Sequence, residues 1–202
     1  TAFFVAEQAQ YWPDVLAAMC QIEAGAIGEV LSARGVFYDV LAVSPDQPKP
    51  WRFFAERSGG GISIDGGAHW IRPLRMLLGE IDEVIAETGN HIPRREGESL
   101  ALALFRFTSG VVATFEAYES GAPTGPLHDL RVSGTEGQLV SSRGRDGGMT
   151  LYNAEHPKGM RVADGFPGRA DAYGYELHDF SQMVLDGKAP EAPPEQSLGE
   201  FR

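Results

Sequence analysis

Ser58-Gly59-Gly60-Gly61-Ile62-Ser63-Ile64-Asp65-Gly66-Gly67-Ala68-His69-Trp70-Ile71 decides how the rest of the chain is read. Three consecutive glycines lead to an aspartate, and a histidine follows four residues after it. From Ala68 the apolar residues Ile71, Leu74, Leu77 and Leu78 recur at helical spacing and Gly79 supplies a stop, so the pattern predicts a helix with Asp65 and His69 at its mouth. That spacing puts both side chains on one face. The glycines leave room for a ligand or another backbone segment to come close. Three chemistries suit the pair. Asp65 is a favoured N-cap, which would leave His69 an ordinary first-turn residue. Carboxylate and imidazole are both metal ligands, but no dense cluster of Cys, His, Asp and Glu surrounds them, so no metal site is expected. In the third reading a carboxylate orients an imidazole of near-neutral pKa, which takes a proton from a substrate hydroxyl. Spacing alone does not choose between the cap and the acid–base couple.

Trp51-Arg52, a short loop, Gly59-Gly60-Gly61, Asp65, His69 and a Leu-rich helix closing on Leu78-Gly79 resemble the glucose-fructose oxidoreductase/inositol dehydrogenase (Gfo/Idh/MocA) family. The resemblance extends to Tyr11-Trp12-Pro13 opening a first helix, Ala26-Ile27-Gly28-Glu29-Val30 leading into a strand, Val132 to Gly137 as a strand and turn, and Tyr175-Glu176 to Phe180. It implies an α+β fold, a mainly antiparallel open sheet with helices packed on one face. It also implies that residues 1–202 are a C-terminal substrate-binding and oligomerisation domain. The NAD- or NADP-binding Rossmann domain would precede it and a C-terminal tail would follow. Thr1 opens without a Met and Arg202 is what cleavage after a basic residue leaves, so the same reading expects a fragment.

Composition bounds the rest. With 202 residues, 43% hydrophobic and 10% aromatic, the chain suits one domain with a real core. A net charge of −11 argues against a nucleic-acid or anionic-membrane surface. The single cysteine, Cys20, excludes an internal disulfide framework and falls among Leu16, Met19 and Ile22, where a buried structural thiol is expected. No apolar run approaches the ~20 residues that span a bilayer and no signal segment opens the chain, so a cytoplasmic protein is expected.

Phe3 to Ala6 reads as a short buried strand, followed by the polar, aromatic loop Glu7 to Trp12. Pro13 starts a helix with Val15, Leu16, Met19 and Ile22 as its apolar stripe. Val30 to Leu41 alternates as a strand, and the prolines of Ser44 to Pro50 make a surface loop delivering Trp51-Arg52. Ile81 to Ile92, Ser99 to Thr108 and Val111 to Tyr118 read as strands, the last two an antiparallel hairpin about Thr108-Ser109-Gly110. Residues Leu100 to Phe107 are apolar on both faces, so one face should carry helices and the other a homo-oligomer contact. His128 to Ser133 and Gln138 to Ser142 form a hairpin, and Met149 to Asn153 a further strand. Arg143 to Gly148 and His156 to Gly159 read as loops, and Asp171 to Leu185 as a last helix with Tyr173, Leu177, Phe180 and Val184 as its apolar face.

The resemblance implies hydride transfer from a sugar or cyclitol hydroxyl to a nicotinamide, with His69 taking the hydroxyl proton and Asp65 orienting it or relaying. It makes Gln8, Gln10 and Tyr11, at the strand-to-helix corner, candidate substrate contacts. Arg52 is expected either to clamp a polar substrate or to bridge to Glu56 or Asp65. Arg72, a further candidate substrate contact, stands where the family commonly has an Asp, reversing the charge beside the pocket. No G-x-G-x-x-G follows a strand, and the family's Glu-Lys-Pro motif is absent, so the cofactor-binding residues are expected outside this chain. Two other readings stay open: a sugar-binding or regulatory protein without catalysis, and a redox-neutral glycosidase or lyase that uses its nicotinamide transiently.

Overall fold

The computed structural model describes residues 2–41, 46–122, 129–142, 147–165 and 168–200. A 3-10 turn, Gln8–Tyr11, leads into α1, Pro13–Glu23, where Pro13 occupies a first-turn position whose N–H would have no helical partner. Then come β1 (Val30–Val40), a 3-10 turn (Trp51–Phe53), α2 (Ala55–Ser58), a π-helical turn (Ser63–Gly67) and α3 (Ala68–Leu78). Seven strands follow: β2 (Ile81–Gly89), β3 (Leu100–Phe107), β4 (Val112–Ser120), β5 (Leu130–Gly134), β6 (Gly137–Ser142), β7 (Gly148–Asn153) and β8 (Met160–Asp164). Helices α4 (Gly168–Asp186) and α5 (Pro194–Leu198) end the chain.

The strands form one open sheet in the order β2-β3-β4-β1-β5-β6-β7-β8. Every neighbouring pair is antiparallel except β1 with β4, so the mainly antiparallel α+β sheet is as expected. The β3–β4 hairpin turns at Gly110, which takes a φ of 86°. One sheet face carries the core: Ala33, Phe105, Phe115, Ala117, Val132, Leu139 and Met149 pack beneath Val15 and Ala18 of α1 and Trp70 and Leu74 of α3. Leu74 is fully buried, a contribution of roughly 1.5–3 kcal/mol for a side chain of its size. Pro73 lies inside α3 without ending it.

Several expectations are corrected. Residues 3–6 form no strand: Phe3 is 68% exposed, and Phe4 packs its ring 5.7 Å from Phe180 of α4 instead of joining a sheet edge. Cys20 is exposed, because α1 buries Val15 and Ala18 and turns the cysteine outward. Strand β8, pairing with β7, was not anticipated; its side chains are only partly covered, so the sequence carries no clean alternation there. Helix α4 is present but rotated from the expected face. Ala172, Glu176 and Asp179 are buried, while Tyr173, Leu177 and Val184 are more than half exposed. A polar network determines this orientation: Tyr11 donates to Asp179 at 2.6 Å, and the Glu191 amide donates to the same carboxylate at 2.8 Å. The sheet's second face is uncovered along β2 and β3, with Ile85 73% and Leu102 44% exposed. Arg143 to Asp146, His128 and the Ser44-Pro45 portion of the proline loop lie outside the described residues.

A buried charge cluster ties α4 to the rest. Arg169 lies 2.6 Å from Asp14 and 2.8 Å from Asp129, both carboxylates having no exposed side-chain surface. Ser141 donates to Asp14 at 3.0 Å, and the guanidinium stacks 4.1 Å above the Trp12 ring. Removing one partner leaves charge stranded in a poorly solvated interior. Asp14→Ala should therefore cost about 3 kcal/mol, the lower end for a broken buried pair because Asp129 remains. Urea unfolding measures it, and a loss under about 1 kcal/mol would show the cluster dispensable.

Candidate active site

The site is set by how closely the Ser63–Gly67 turn approaches the sheet. A Cβ added at Gly66 would fall 1.9 Å from the Phe37 ring of β1, and one at Gly67 would fall 2.8 Å from Phe115 of β4. The space left by these glycines is filled by the protein's own rings, not by a ligand. A π-turn also offsets Asp65 from the register of α3. Asp65 makes no side-chain cap; the helix enters from Gly67, already helical, with no capping side chain.

Asp65, His69 and Arg52 line one pocket of about 390 Å³, together with Phe37, Trp51, Arg95 and Glu119. The carboxylate on His69 is Glu7, which bonds Nδ1 at 2.8 and 3.0 Å through its two oxygens. A carboxylate only accepts, so Nδ1 carries the hydrogen and Nε2 keeps the lone pair. Glu7 is 7% exposed and is itself held by the Ala9 amide at 3.0 Å. Burial by itself pulls the imidazole's proton affinity down. The Glu7 bond and charge, backed by the charges of Asp65 and Glu176, overcome this and place His69 above the ordinary histidine value. Asp65 thus acts on His69 through charge, while its Oδ1 accepts from Arg52 Nε at 3.1 Å. This is the Asp65 bridge that the sequence offered as one of two readings for Arg52. The guanidinium of Arg52 also lies 4.5 Å above the Trp51 ring.

Arg95 and Glu119 form a second, buried ion pair beside the pocket. Burial raises the Glu119 carboxyl, with Asp65 and Asp39 adding to this and Arg95 opposing it. Neither was singled out from the sequence. Nor was Glu7, whose partner lies 62 residues away and leaves no local signal.

The remaining candidates lie off this pocket. Arg72, expected at the substrate, is 1% exposed and bonds Gln196, Ser197 and Glu200 of the C-terminal segment, with Glu200 2.6 Å from its Nε. The charge reversal at this position is therefore matched inside the fold. Gln10 accepts from Arg72 at 3.3 Å. Tyr11 is 6% exposed and committed to Asp179; burial and that bond push its phenol far up. Gln8 is half-buried on the same turn.

Among the described residues the one parallel pair, β1 and β4, is separated in sequence by two further strands. No group of three or more His, Cys, Asp or Glu that could hold a metal occurs among the described residues, and no helix there is long and apolar enough to cross a membrane.

Residues 15–140 match the GFO/IDH/MocA C-terminal domain. Levoglucosan dehydrogenase of Pseudarthrobacter phenanthrenivorans is 28% identical over 87% of this chain and 56% of its own length. The scyllo-inositol 2-dehydrogenase (NAD(+)) of Bacillus subtilis is 32% identical over 84% of this chain and 48% of its own length. The crystal structure of an NAD binding oxidoreductase from Klebsiella pneumoniae superposes with a TM-score of 0.77 at 25% identity, covering 98% of this chain and 60% of that one. The chain thus spans about half the length of these curated relatives.

The raised His69 pKa gives a signed prediction. The Glu7–His69 contact contributes stability that is fully present below the ordinary value of 6.5 and is lost as pH rises through the higher folded value. In Glu7→Gln, histidine NMR should show the His69 midpoint moved down, and the acid-side gain in stability should shrink. An unmoved midpoint would remove Glu7 as the orienting group.

Proposed function

Because the chain belongs to the GFO/IDH/MocA family through its C-terminal domain, we propose that it is the substrate domain of an NAD(P)-dependent dehydrogenase acting on a hydroxyl of a sugar, cyclitol or related polyol. The observation that carries this reading is the Glu7–His69 pair opening on the Asp65- and Arg52-lined pocket. Its volume of about 390 Å³ suits a monosaccharide-sized ligand. The relatives named as sugar and inositol dehydrogenases support the same substrate class.

In this reading His69 Nε2 takes the proton of the substrate hydroxyl while Glu7 holds Nδ1–H and stabilises the imidazolium that forms. Asp65 and Arg52 contact neighbouring hydroxyls, the carboxylate accepting and the guanidinium donating. A nicotinamide held by another part of the intact protein would supply the hydride acceptor. Residues 1–202 are read as one domain of a two-domain enzyme. The exposed apolar face of α4, with Tyr173, Leu177 and Val184, supports a docked neighbour. A second copy of the chain is the proposed cover for the outer face of β2 and β3, where Ile85 and Leu104 are exposed.

Nicotinamide reduction by the full-length protein, on a panel of sugars, polyols and inositols with NAD and with NADP, tests the chemistry. His69→Ala should lower turnover on the order of a hundredfold or more. Sugar binding without reduction would favour a non-catalytic protein, and cleavage of aryl glycosides without net reduction a redox-neutral enzyme. In light scattering, Ile85→Lys combined with Leu104→Lys should lower the mass of the full-length protein to that of a monomer. An unchanged assembly counts against the sheet-face contact.

A further inference from the structure

Glu176 lines no part of the pocket and entered above only as one of the charges on His69, yet it is buried. It is 6% exposed on the inner face of α4, between Ala172 at 0% and Asp179 at 4%. Among the described residues its Oε1 has no hydrogen-bond partner. A buried carboxyl without a full set of partners is a costly arrangement that a packed helix face does not need, since Gln or Leu would fill the same volume. Its location points to a role. The inner face of α4 packs against the Gln8–Tyr11 turn, and the cap of that turn is Glu7, the carboxylate that holds His69.

We propose that Glu176 is a positioning residue of the Glu7–His69 pair: a second buried carboxyl that acts on His69 from the inner face of α4, packed against the turn that Glu7 caps. It touches neither substrate nor cofactor and acts through Glu7 and His69. The proposal deepens the dehydrogenase reading and rests on it for its kinetic consequence, but not for its titration.

The charges around Glu176 fit this arrangement. Burial raises its carboxyl, the Glu7 charge raises it further and His69 opposes both; Glu176 is in turn among the charges that raise His69. Other groups near this face are already engaged. The Tyr11 hydroxyl is given to Asp179, Asp179 also holds the Glu191 amide, and Arg169 on the same helix is bound to Asp14 and Asp129. His69 is therefore the cation to which Glu176 responds. When His69 takes the hydroxyl proton, the Glu176 charge favours the imidazolium that forms. Interacting sites of this kind titrate in macroscopic steps that belong to the group, not to one member.

The test is Glu176→Gln in the full-length protein, which keeps the shape and removes the charge. Two readouts apply: the histidine NMR midpoint of His69, and the pH profile of kcat for polyol oxidation. Both the midpoint and the acidic limb should move to lower pH, while Glu176→Asp should hold them near their original positions. If the Gln variant is folded and neither moves, Glu176 is only structural and the proposal falls. Should the Gln variant not fold, the parent protein with labelled glutamate carboxyls decides: Glu176 and His69 must share inflections, and independent single-step curves overturn the coupling. A shifted His69 midpoint in a protein that reduces no nicotinamide would uphold the coupling and overturn the dehydrogenase reading.

Discussion

No side chain fits between the Ser63–Gly67 turn and the sheet, and the site depends on that steric fact. Phe37 and Phe115 press against Gly66 and Gly67 from two strands that lie side by side at the centre of the sheet. The turn cannot rise without opening a void, nor sink without a clash. Asp65 and His69 are thereby fixed relative to the strands that carry the pocket wall, and the π-helical geometry carries Asp65 to Arg52 while His69 turns to Glu7. Holding acid–base groups on rigid elements is what proton transfer between close heavy atoms requires.

Charge does the work elsewhere that apolar packing was expected to do. Helix α4 is anchored through Arg169 to Asp14 and Asp129 and through Asp179 to Tyr11. Along α3, Arg72 and Arg75 converge on Glu200. Such buried pairs add less net stability than apolar groups of the same volume would, but they tolerate few alternative arrangements. The helix register over the Gln8–Tyr11 turn is defined by specific partners, so that Glu7 is presented to His69 in one orientation.

Local signals made the fold legible and hid part of the site. The stop at Gly79, the hairpin at Gly110 and the alternation of β1 are all properties of neighbouring residues, and all appear in the structure close to where the sequence puts them. The pairing of His69 was not readable, because Asp65 is one turn away while Glu7 arrives from the other side of α1. Arg72 stood in the helix beside the pocket residues, yet its partner Glu200 lies on a segment that no spacing rule connects to it. In α4 the apolar stripe was read correctly as a stripe but assigned to the wrong side. Periodicity reports that one face differs from the other; it does not say which face meets this chain and which meets something else.

The place of β1 in the sheet has a consequence for how the chain must assemble. Of the eight strands the earliest in sequence is a central one, with β4 on one flank and β5 on the other. During synthesis Ser32 has no partner until Val112 has emerged, and Val30 none until Gly134. Until then an eleven-residue strand with both edges unpaired must be kept from other chains. Contacts this distant in sequence put the molecule among slow folders. The loop-closure entropy of the central pairing, more than the packing of any helix, is then expected to limit how fast the site comes into being.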